Sequence, residues 1–121
     1  MVFNVLVSNT DDHLRNHGFL HDGVGWRLAP AFDLNPMPAD VRPRVHALAL
    51  DDMDATASMD TVWEVAPRFG LATKEARRIA HELAASVRTW SSAGKKHGLK
   101  PKELDRMASA FEHEDLAGAA R

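Results

Sequence analysis

Residues 9–36 read NTDDHLRNHGFLHDGVGWRLAPAFDLNP, and this stretch decides how the chain is organised. It begins with a polar loop over residues 8–17, continues as an alternating segment around an Asp-Gly turn, and ends in a second loop that starts at Pro30. Alternation around Asp-Gly predicts a two-stranded β-hairpin over residues 17–30. Because a hairpin returns the chain to its starting point, the second loop is expected beside the first.

Oxygen-bearing side chains are concentrated in these two loops. Asp11, Asp12 and Asn16 lie in the first loop, and Asp33 lies in the second. Hard cations such as Mg²⁺ take oxygen ligands, commonly one or two carboxylates together with substrate phosphates. If the hairpin forms, Asp11, Asn16 and Asp33 can converge although they are distant in sequence. Asp and Asn are also common turn and capping residues, so the loops alone leave a purely structural interpretation open.

The two loop motifs together resemble the C-terminal part of HipA-family serine/threonine kinases. The resemblance rests on Asn-Thr-Asp-Asp-His-x-x-Asn at residues 9–16, a short hairpin, and Trp-Arg-Leu-Ala-Pro-Ala-Phe-Asp-Leu-Asn-Pro at residues 26–36. The helices predicted downstream also resemble the C-terminal helical bundle of that family. The family implies a bacterial, cytoplasmic kinase that uses ATP and is usually the toxin half of a toxin–antitoxin pair, with an antitoxin protein as its partner.

The resemblance implies roles for individual residues. Asp11 matches the catalytic aspartate, which orients or deprotonates the attacking hydroxyl, and Asn16 and Asp33 match the residues that hold Mg²⁺. The neighbouring carboxylate at position 12 has the same chemistry, so only one of the two is expected to face the metal, and motif position favours Asp11. Asn9 and His13 are expected to support the loop by hydrogen bonds.

The nucleotide-gripping half of a kinase active site is missing from this sequence. HipA-like kinases have an N-terminal portion that supplies the loop over the ATP phosphates and the lysine that pairs with them. Here the Gly-Val-Gly of residues 23–25 lies inside a hairpin, and no lysine precedes Lys74. We therefore expect the chain to be inactive alone and to need the missing N-terminal kinase portion as a partner.

Two other classes of function remain open. His13, His17 and His21 recur every four residues, which on a helix would form the transition-metal site of a metal-dependent hydrolase. Gly18 and the alternation after it argue against a helix there. The chain could instead be a non-catalytic interaction module, or a remnant of a toxin–antitoxin system, that forms a homodimer through the apolar segment 2–7.

Composition excludes several classes of protein. The chain has 121 residues and no cysteine, which excludes a disulfide framework and a thiolate metal site. Residues 1–60 hold 4 Lys or Arg against 9 Asp or Glu, and residues 61–121 hold 11 against 8. The total charge of −2 is too weak to indicate a nucleic-acid footprint, so direct DNA binding is not expected. No apolar run is long enough to cross a membrane.

The expected fold class is α+β and mostly α, as part of a protein-kinase-like C-lobe. One HipA-like C-terminal domain is expected over residues 1–121. Within it, residues 1–57 hold the catalytic loop, the hairpin and the metal-aspartate loop, and residues 58–121 form a bundle of about three helices.

Helical periodicity sets the expected bounds of that bundle. A first helix is predicted from Ser58 to a stop at Gly70, and a second begins with Thr73 as N-cap and continues to about His97. The last helix is expected to begin at Pro101, and the final residues 116–121 are expected to fray.

Shorter stretches give weaker signals. Residues 1–8 fit a buried strand or the end of a buried helix, residues 30–43 contain too many prolines for a regular element, and residues 45–50 fit a short strand. The tryptophans are expected in the core and four separate histidines at the surface; these are Trp26, Trp63, Trp90, His46, His81, His97 and His113.

Overall fold

The computed structural model describes residues 1–41, 44–49 and 55–120 as a small β-hairpin joined to a group of helices, which is the α+β, mostly helical class expected from the sequence. Short 3₁₀ turns lie at Leu14–Asn16 and Ala66–Phe69. None of the described helices is long and apolar enough to cross a membrane. The elements, in chain order, are α1 (Val2–Leu6), β1 (Phe19–His21), β2 (Trp26–Leu28), α2 (Met59–Val65), α3 (Thr73–Val87), α4 (Trp90–Lys96), α5 (Pro101–Phe111) and α6 (Glu114–Ala119).

Helix α1 lies in the core of the bundle. Residues 5–7 are no more than 2% exposed, and α1 contacts α2, α3 and α6. The apolar N-terminal segment is therefore a helix and not a strand. Helices of the same chain bury residues 5–7, so these residues need no cover from a second copy. A homodimer through the segment 2–7 stays a prediction. Met1 is 38% exposed, and it lies with Val2 and Phe3 along an open apolar groove.

The hairpin predicted over residues 17–30 is present. β1 and β2 pair in antiparallel fashion, and pairing extends one step further because the Ala29 N–H donates to the Gly18 carbonyl over 2.8 Å. Asp22 closes the turn, since one of its carboxylate oxygens accepts hydrogen bonds from two backbone N–H groups, each at 3.0 Å. These backbone bonds lower the pKa of Asp22.

Of the three tryptophans, Trp63 and Trp90 pack against the core as predicted, and Trp26 does not. Trp26 is 72% exposed, so its predicted place in the core is wrong: both strands of the hairpin are exposed along their length. Trp63 is half-buried and carries the guanidinium of Arg77 over its ring at 5.0 Å. Trp90 is also half-buried and stacks on Phe111 with ring centroids 4.6 Å apart.

The first predicted helix begins and stops where the sequence indicated. The Ser58 hydroxyl oxygen accepts a hydrogen bond from the Asp60 N–H at 3.1 Å, which caps α2. The helix then tightens into the 3₁₀ turn Ala66–Phe69 and ends at Gly70, whose φ is +71°. The helical spacing of apolar residues in the sequence predicts that Phe69 lies on the buried face of this helix. It is instead 63% exposed, because the tighter turn moves it off the 3.6-residue repeat.

The long helix predicted from Thr73 to about His97 is divided into α3 and α4. Residues 88–89 form a turn between them, and the Thr89 hydroxyl donates to the Ser86 carbonyl at 2.8 Å. Such a local bond competes with continuation of the helix. Thr73 is also not the N-cap as predicted, because the residue before it takes that position without a side-chain bond.

The last helix begins at Pro101 as predicted, and Leu104 and Phe111 lie on its buried face. The segment after it was expected to fray but forms α6, because Leu116 and Ala119 are buried against α1 and α3. The helical half therefore contains five α-helices within the described residues, whereas the periodicity of the sequence predicted about three.

The segment between the hairpin and α2 is mostly irregular. Residues 30–41 contain no regular helix or strand, as their prolines predicted. The short strand predicted over residues 45–50 is wrong for its described part, which contains a single bridge between Val45 and Thr56. Residues 42, 43 and 50, on which parts of these two predictions fall, lie outside the described residues.

Two histidines that were expected at the surface are instead buried or half-buried. His46 is only 4% exposed, and His113 is half-buried with its Nε2 atom 3.2 Å from the Leu6 carbonyl oxygen. Burial lowers the pKa of both imidazoles, because the charged form loses hydration. Both histidines are therefore neutral at neutral pH.

An ion pair ties the irregular segment to the helices. Arg44 Nη1 lies 2.7 Å from Asp115 Oδ2, and Arg44 Nη2 donates to the Val5 carbonyl at 3.0 Å. The other oxygen of Asp115 accepts the Met59 N–H at 2.7 Å. This partly buried pair joins the irregular segment to α1, to the start of α2 and to α6. It thereby holds α1 in place, and the C-terminal end of α1 leads into the polar loop.

Candidate functional site

The adjacent aspartates of the polar loop have opposite surroundings. The side chain of Asp11 is exposed, whereas Asp12 is only 5% exposed. Asp12 Oδ2 accepts a hydrogen bond from Asn4 Nδ2 at 2.6 Å, and Asp12 Oδ1 lies 2.9 Å from His17 Nε2. Asp12 therefore holds the loop against α1, and Asp11 is the carboxylate of the pair that faces solvent.

Asn9 connects three parts of the chain. Its side chain is 1% exposed, and its Nδ2 group donates both to Asn4 Oδ1 at 3.2 Å and to the Asp33 carbonyl at 3.3 Å. Its backbone N–H donates to the Asn4 carbonyl at 2.8 Å. The start of the polar loop is thereby joined to α1 on one side and to the Asp33 loop on the other.

Asn16 lies at the end of the short 3₁₀ turn that closes the polar loop. It is half-buried, and its Nδ2 group donates to the Asp11 carbonyl at 3.3 Å. This hydrogen bond uses the amide nitrogen of Asn16. The amide oxygen of the same side chain can therefore bind a cation. The backbone of Asp11 and the side chain of Asn16 are thus held next to each other.

Asp33 is exposed and has an unusual backbone. Its φ is +56°, the left-handed region, which costs a non-glycine residue roughly 1–2 kcal/mol. Its Oδ1 atom accepts a hydrogen bond from Asn35 Nδ2 at 2.6 Å, and its carbonyl is the one held by Asn9. Strained residues of this kind are found at functional sites more often than elsewhere.

The structure therefore brings the two loops together. The hairpin returns the chain at Ala29 beside Gly18, and Asn9 bridges from the first loop to Asp33 in the second. Whether the Asp33 carboxylate shares one cation with Asn16 stays a prediction, because each of these two side chains is bonded within its own loop.

The donor set fits a hard cation. Asp11 and Asp33 provide exposed carboxylates, and Asn16 provides an amide oxygen, which are the ligand types that Mg²⁺ takes. In the described parts of the chain, no three His, Asp or Glu side chains are grouped so that they could hold a metal. A cation here would therefore complete its shell with water or phosphate oxygens, as Mg²⁺ usually does.

The histidine alternative gains no support from the geometry. Residues 13–21 pass from a 3₁₀ turn into β1, so they present no common helical face. His17 is bonded to Asp12, while His21 Nδ1 accepts the Gly23 N–H at 3.1 Å. His13 is half-buried, and its Nδ1 atom has no hydrogen-bond partner in the structure.

Sequence reasoning gave no role to Asn4, considered His17 only as a metal ligand, and gave no buried role to Asp12. Asn4 is the single polar residue in the apolar run 2–7, and that isolation was a usable signal. A buried polar side chain needs a hydrogen-bond partner, and the nearest polar loop in sequence supplied it.

A comparison with family models identifies the relationship of this chain. The model described as the HipA-like C-terminal domain matches residues 1–91. The chain belongs to this family. No curated protein and no solved structure matches it significantly.

The HipA-like match contains every residue of the two loops and the hairpin. It ends at the start of α4, so nearly all of α4 and the whole of α5 and α6 lie beyond it. Helix α6 nevertheless packs against α1 and α3. The helices after the matched span therefore support the one that precedes the polar loop.

Proposed function

We propose that this chain is the C-terminal part of a HipA-like toxin serine/threonine kinase, which transfers the γ-phosphoryl group of ATP to a protein hydroxyl in the bacterial cytoplasm. The observation that carries the proposal is the hydrogen bond from Asn9 to the Asp33 carbonyl, which joins the two loops that hold the family's motif residues. The complete protein would have an antitoxin as its partner, and this chain alone would be inactive.

In this proposal the residues of the two loops have separate tasks. The hydroxyl oxygen of the acceptor attacks the γ-phosphorus, the bond from that phosphorus to the ADP oxygen breaks, and the hydroxyl proton passes to the Asp11 carboxylate. Asn16 and Asp33 would hold Mg²⁺, which neutralises phosphate charge when it is bound. Asn9 keeps the second loop in place relative to the first.

The proposal explains why the chain alone should not transfer phosphate. Phosphoryl transfer depends on holding donor and acceptor in line, and effective molarity alone contributes ~7–11 kcal/mol to such reactions. Asp11, Asn16 and Asp33 can position a cation and a hydroxyl. They do not provide a lysine or a backbone cradle for the ATP phosphates.

The exposed face of the hairpin is the proposed docking surface for the missing N-terminal kinase portion. Phe19, Trp26 and Leu28 lie on one face of the hairpin and are 63%, 72% and 61% exposed. A contiguous apolar patch of this kind usually marks an interaction site. A second copy of this chain is the other occupant to be tested, and a homodimer there would favour a non-catalytic interaction module.

A labelled-ATP assay tests the proposal. The chain is incubated with Mg²⁺ and γ-labelled ATP, first alone and then with the N-terminal portion of a HipA-like kinase, each with Asp11→Ala as control. We expect no transfer by the chain alone, and transfer by the complemented wild type that Asp11→Ala abolishes. Transfer that is unaffected by Asp11→Ala would overturn the assignment of Asp11, and transfer by the chain alone would overturn the incomplete site.

A further inference from the structure

We propose that a cavity between α2, α3 and α6 binds a compact phosphate group, at a site separate from the two loops. The cavity has a volume of about 270 Å³. Basic side chains of α3 form most of its wall, and small residues of α6 line the other side. The cavity is open to solvent, since its basic lining residues are exposed. The lining residues are Trp63, Lys74, Arg77, Arg78, His81, Gly118 and Ala119.

The cavity has a surplus of positive charge. Arg78 lines the cavity but is neutralised by two glutamates that do not line it, because its guanidinium bonds Glu75 at 2.6 Å and Glu82 at 2.5 Å. Lys74 and Arg77 remain as two permanent cations, and no Asp or Glu is among the described residues that line the cavity. An anion entering it would therefore meet uncompensated positive charge.

Two features hold these cations toward the cavity. Lys74, Arg77 and His81 follow at intervals of three and four residues, which places them on one face of α3. The Arg77 guanidinium also lies 5.0 Å from the Trp63 ring centroid, a cation–π contact that restrains it. A restrained, planar guanidinium loses less conformational freedom when it binds an oxyanion.

The size and chemistry of the cavity favour one phosphate group over an extended polyanion. Its volume is below the ~300–1,000 Å³ of pockets that hold drug-sized ligands. The fork of Arg77 matches phosphate oxygens, and Lys74 adds a point charge. Nucleic-acid backbones need a track of many cations, which a single small cavity does not form. A free phosphate ion and a phosphorylated side chain of a partner share the proposed chemistry.

Position 118 offers a direct way to fill the cavity. A Cβ atom built on Gly118 would meet no heavy atom within 4 Å, and the residue lies inside α6. Gly118→Glu therefore adds a carboxylate at the α6 side of the cavity without a clash at Cβ, and its flexible side chain can act as an internal competitor for the cations of α3. Gly118→Ala changes the backbone in the same way without adding charge, and so serves as its matched control.

The test is a titration of the full chain with inorganic phosphate at constant ionic strength, followed by NMR of the Trp63 indole N–H and the amides of α3. We expect saturable shifts with a dissociation constant on the order of 1 mM. Arg77→Gln should weaken binding at least about tenfold because an ionic hydrogen bond is lost. Gly118→Glu should weaken it by a similar factor because the new carboxylate competes with phosphate for the same cations. Gly118→Ala and Arg106→Gln, which removes the same charge elsewhere, should leave it unchanged.

Further arms distinguish the sources of phosphate and expose a wrong assignment. A phosphoserine peptide that binds more tightly than phosphate, while its unphosphorylated form does not bind, indicates a partner's side chain; equal affinities indicate the free ion. Both outcomes support the site. Shifts reproduced by chloride, shifts that persist in Arg77→Gln and Gly118→Glu, or binding only to long DNA would overturn it. Arg77→Lys, which keeps the charge but loses the fork, gives an intermediate loss if the site is correct.

Discussion

Asp11 and Asp12 are neighbours in sequence, but their burial predicts opposite consequences of removing them. Asp12→Ala should lower the free energy of unfolding by ~2–3 kcal/mol, because Asn4 would lose a buried acceptor and His17 its partner. Asp11→Ala should lower it by less than Asp12→Ala does, because removing the exposed carboxylate of Asp11 leaves the buried amide of Asn4, which Asp12 holds, still satisfied. Urea unfolding of the two variants measures the difference. Equal losses would contradict the distinction between a structural and a solvent-facing carboxylate.

The buried histidines predict how stability depends on pH. Burial lowers the pKa of His46 and His113 below the ordinary value of 6.5, so the unfolded chain binds more protons than the folded one in acid. Their contribution is complete above about pH 6.5 and is lost as the pH falls through the lower folded pKa values. Asp12, Arg44, Asp115 and the N-terminal ammonium group of Met1 are the charged groups acting on these two imidazoles.

We therefore expect the free energy of unfolding to decrease as the pH is lowered from 7 toward 5, measured by urea unfolding at each pH. The double variant His46→Gln and His113→Asn should reduce that slope, and each single variant should remove part of it. Asn is chosen at position 113 because the histidine there accepts the Leu116 N–H at the start of α6, and Asn can cap in its place. A slope that the double variant leaves intact would mean that other groups cause it.

At the scale of the element, the end of α2 depends on one backbone conformation. Gly70 has a φ of +71°, and its N–H donates to the Pro67 carbonyl at 3.0 Å. Gly70→Ala should lower the free energy of unfolding by ~1 kcal/mol, because alanine is strained in this region. Gly118→Ala is the control, since position 118 is helical and open, and there alanine should be neutral or stabilising. Thermal unfolding of both variants checks the sign of each change.

Elements fixed by short-range signals were predictable from the sequence. The Asp-Gly turn indicated the hairpin, and Gly70 and Pro101 marked a helix end and a helix start. Elements that depend on tertiary contacts were not. The turn at residues 88–89 lies inside a continuous helical pattern, and α6 is stabilised by burial of Leu116 against distant helices, which periodicity does not reveal.

The candidate site was likewise predictable from the sequence only in part. The hairpin predicted that the loops of Asp11 and Asp33 would meet, and the chain does return there. The resemblance supplied the residue types, but it did not indicate that Asn4 and Asp12 form the buried support of the loop. That support joins α1 to a loop that follows it closely, so it depends on the angle between them, which sequence spacing does not determine.

At the scale of the whole molecule, the residues that stabilise the fold and the residues proposed for docking lie in different parts of the chain. The bundle buries its apolar residues around α1, whereas the hairpin keeps Phe19 and Trp26 exposed. Replacing both by serine should lower the free energy of unfolding by less than ~1 kcal/mol, since only cross-strand contacts are lost. The same double variant should weaken binding of the N-terminal kinase portion at least about tenfold, because exposed aromatic residues are the usual energetic centre of an interface.

Val24 provides the matched control for this last prediction, because it is a 97% exposed apolar residue in the hairpin turn, outside the paired strands that carry Phe19 and Trp26. Val24→Ser should leave both stability and binding unchanged when the N-terminal portion is titrated and followed by calorimetry. Sedimentation of the chain alone separates the two occupants: a dimer that the double serine variant dissociates would assign this face to a second copy. If the double variant binds the N-terminal portion as tightly as the wild type, the docking surface lies elsewhere, and the apolar groove beside Met1 becomes the next surface to test.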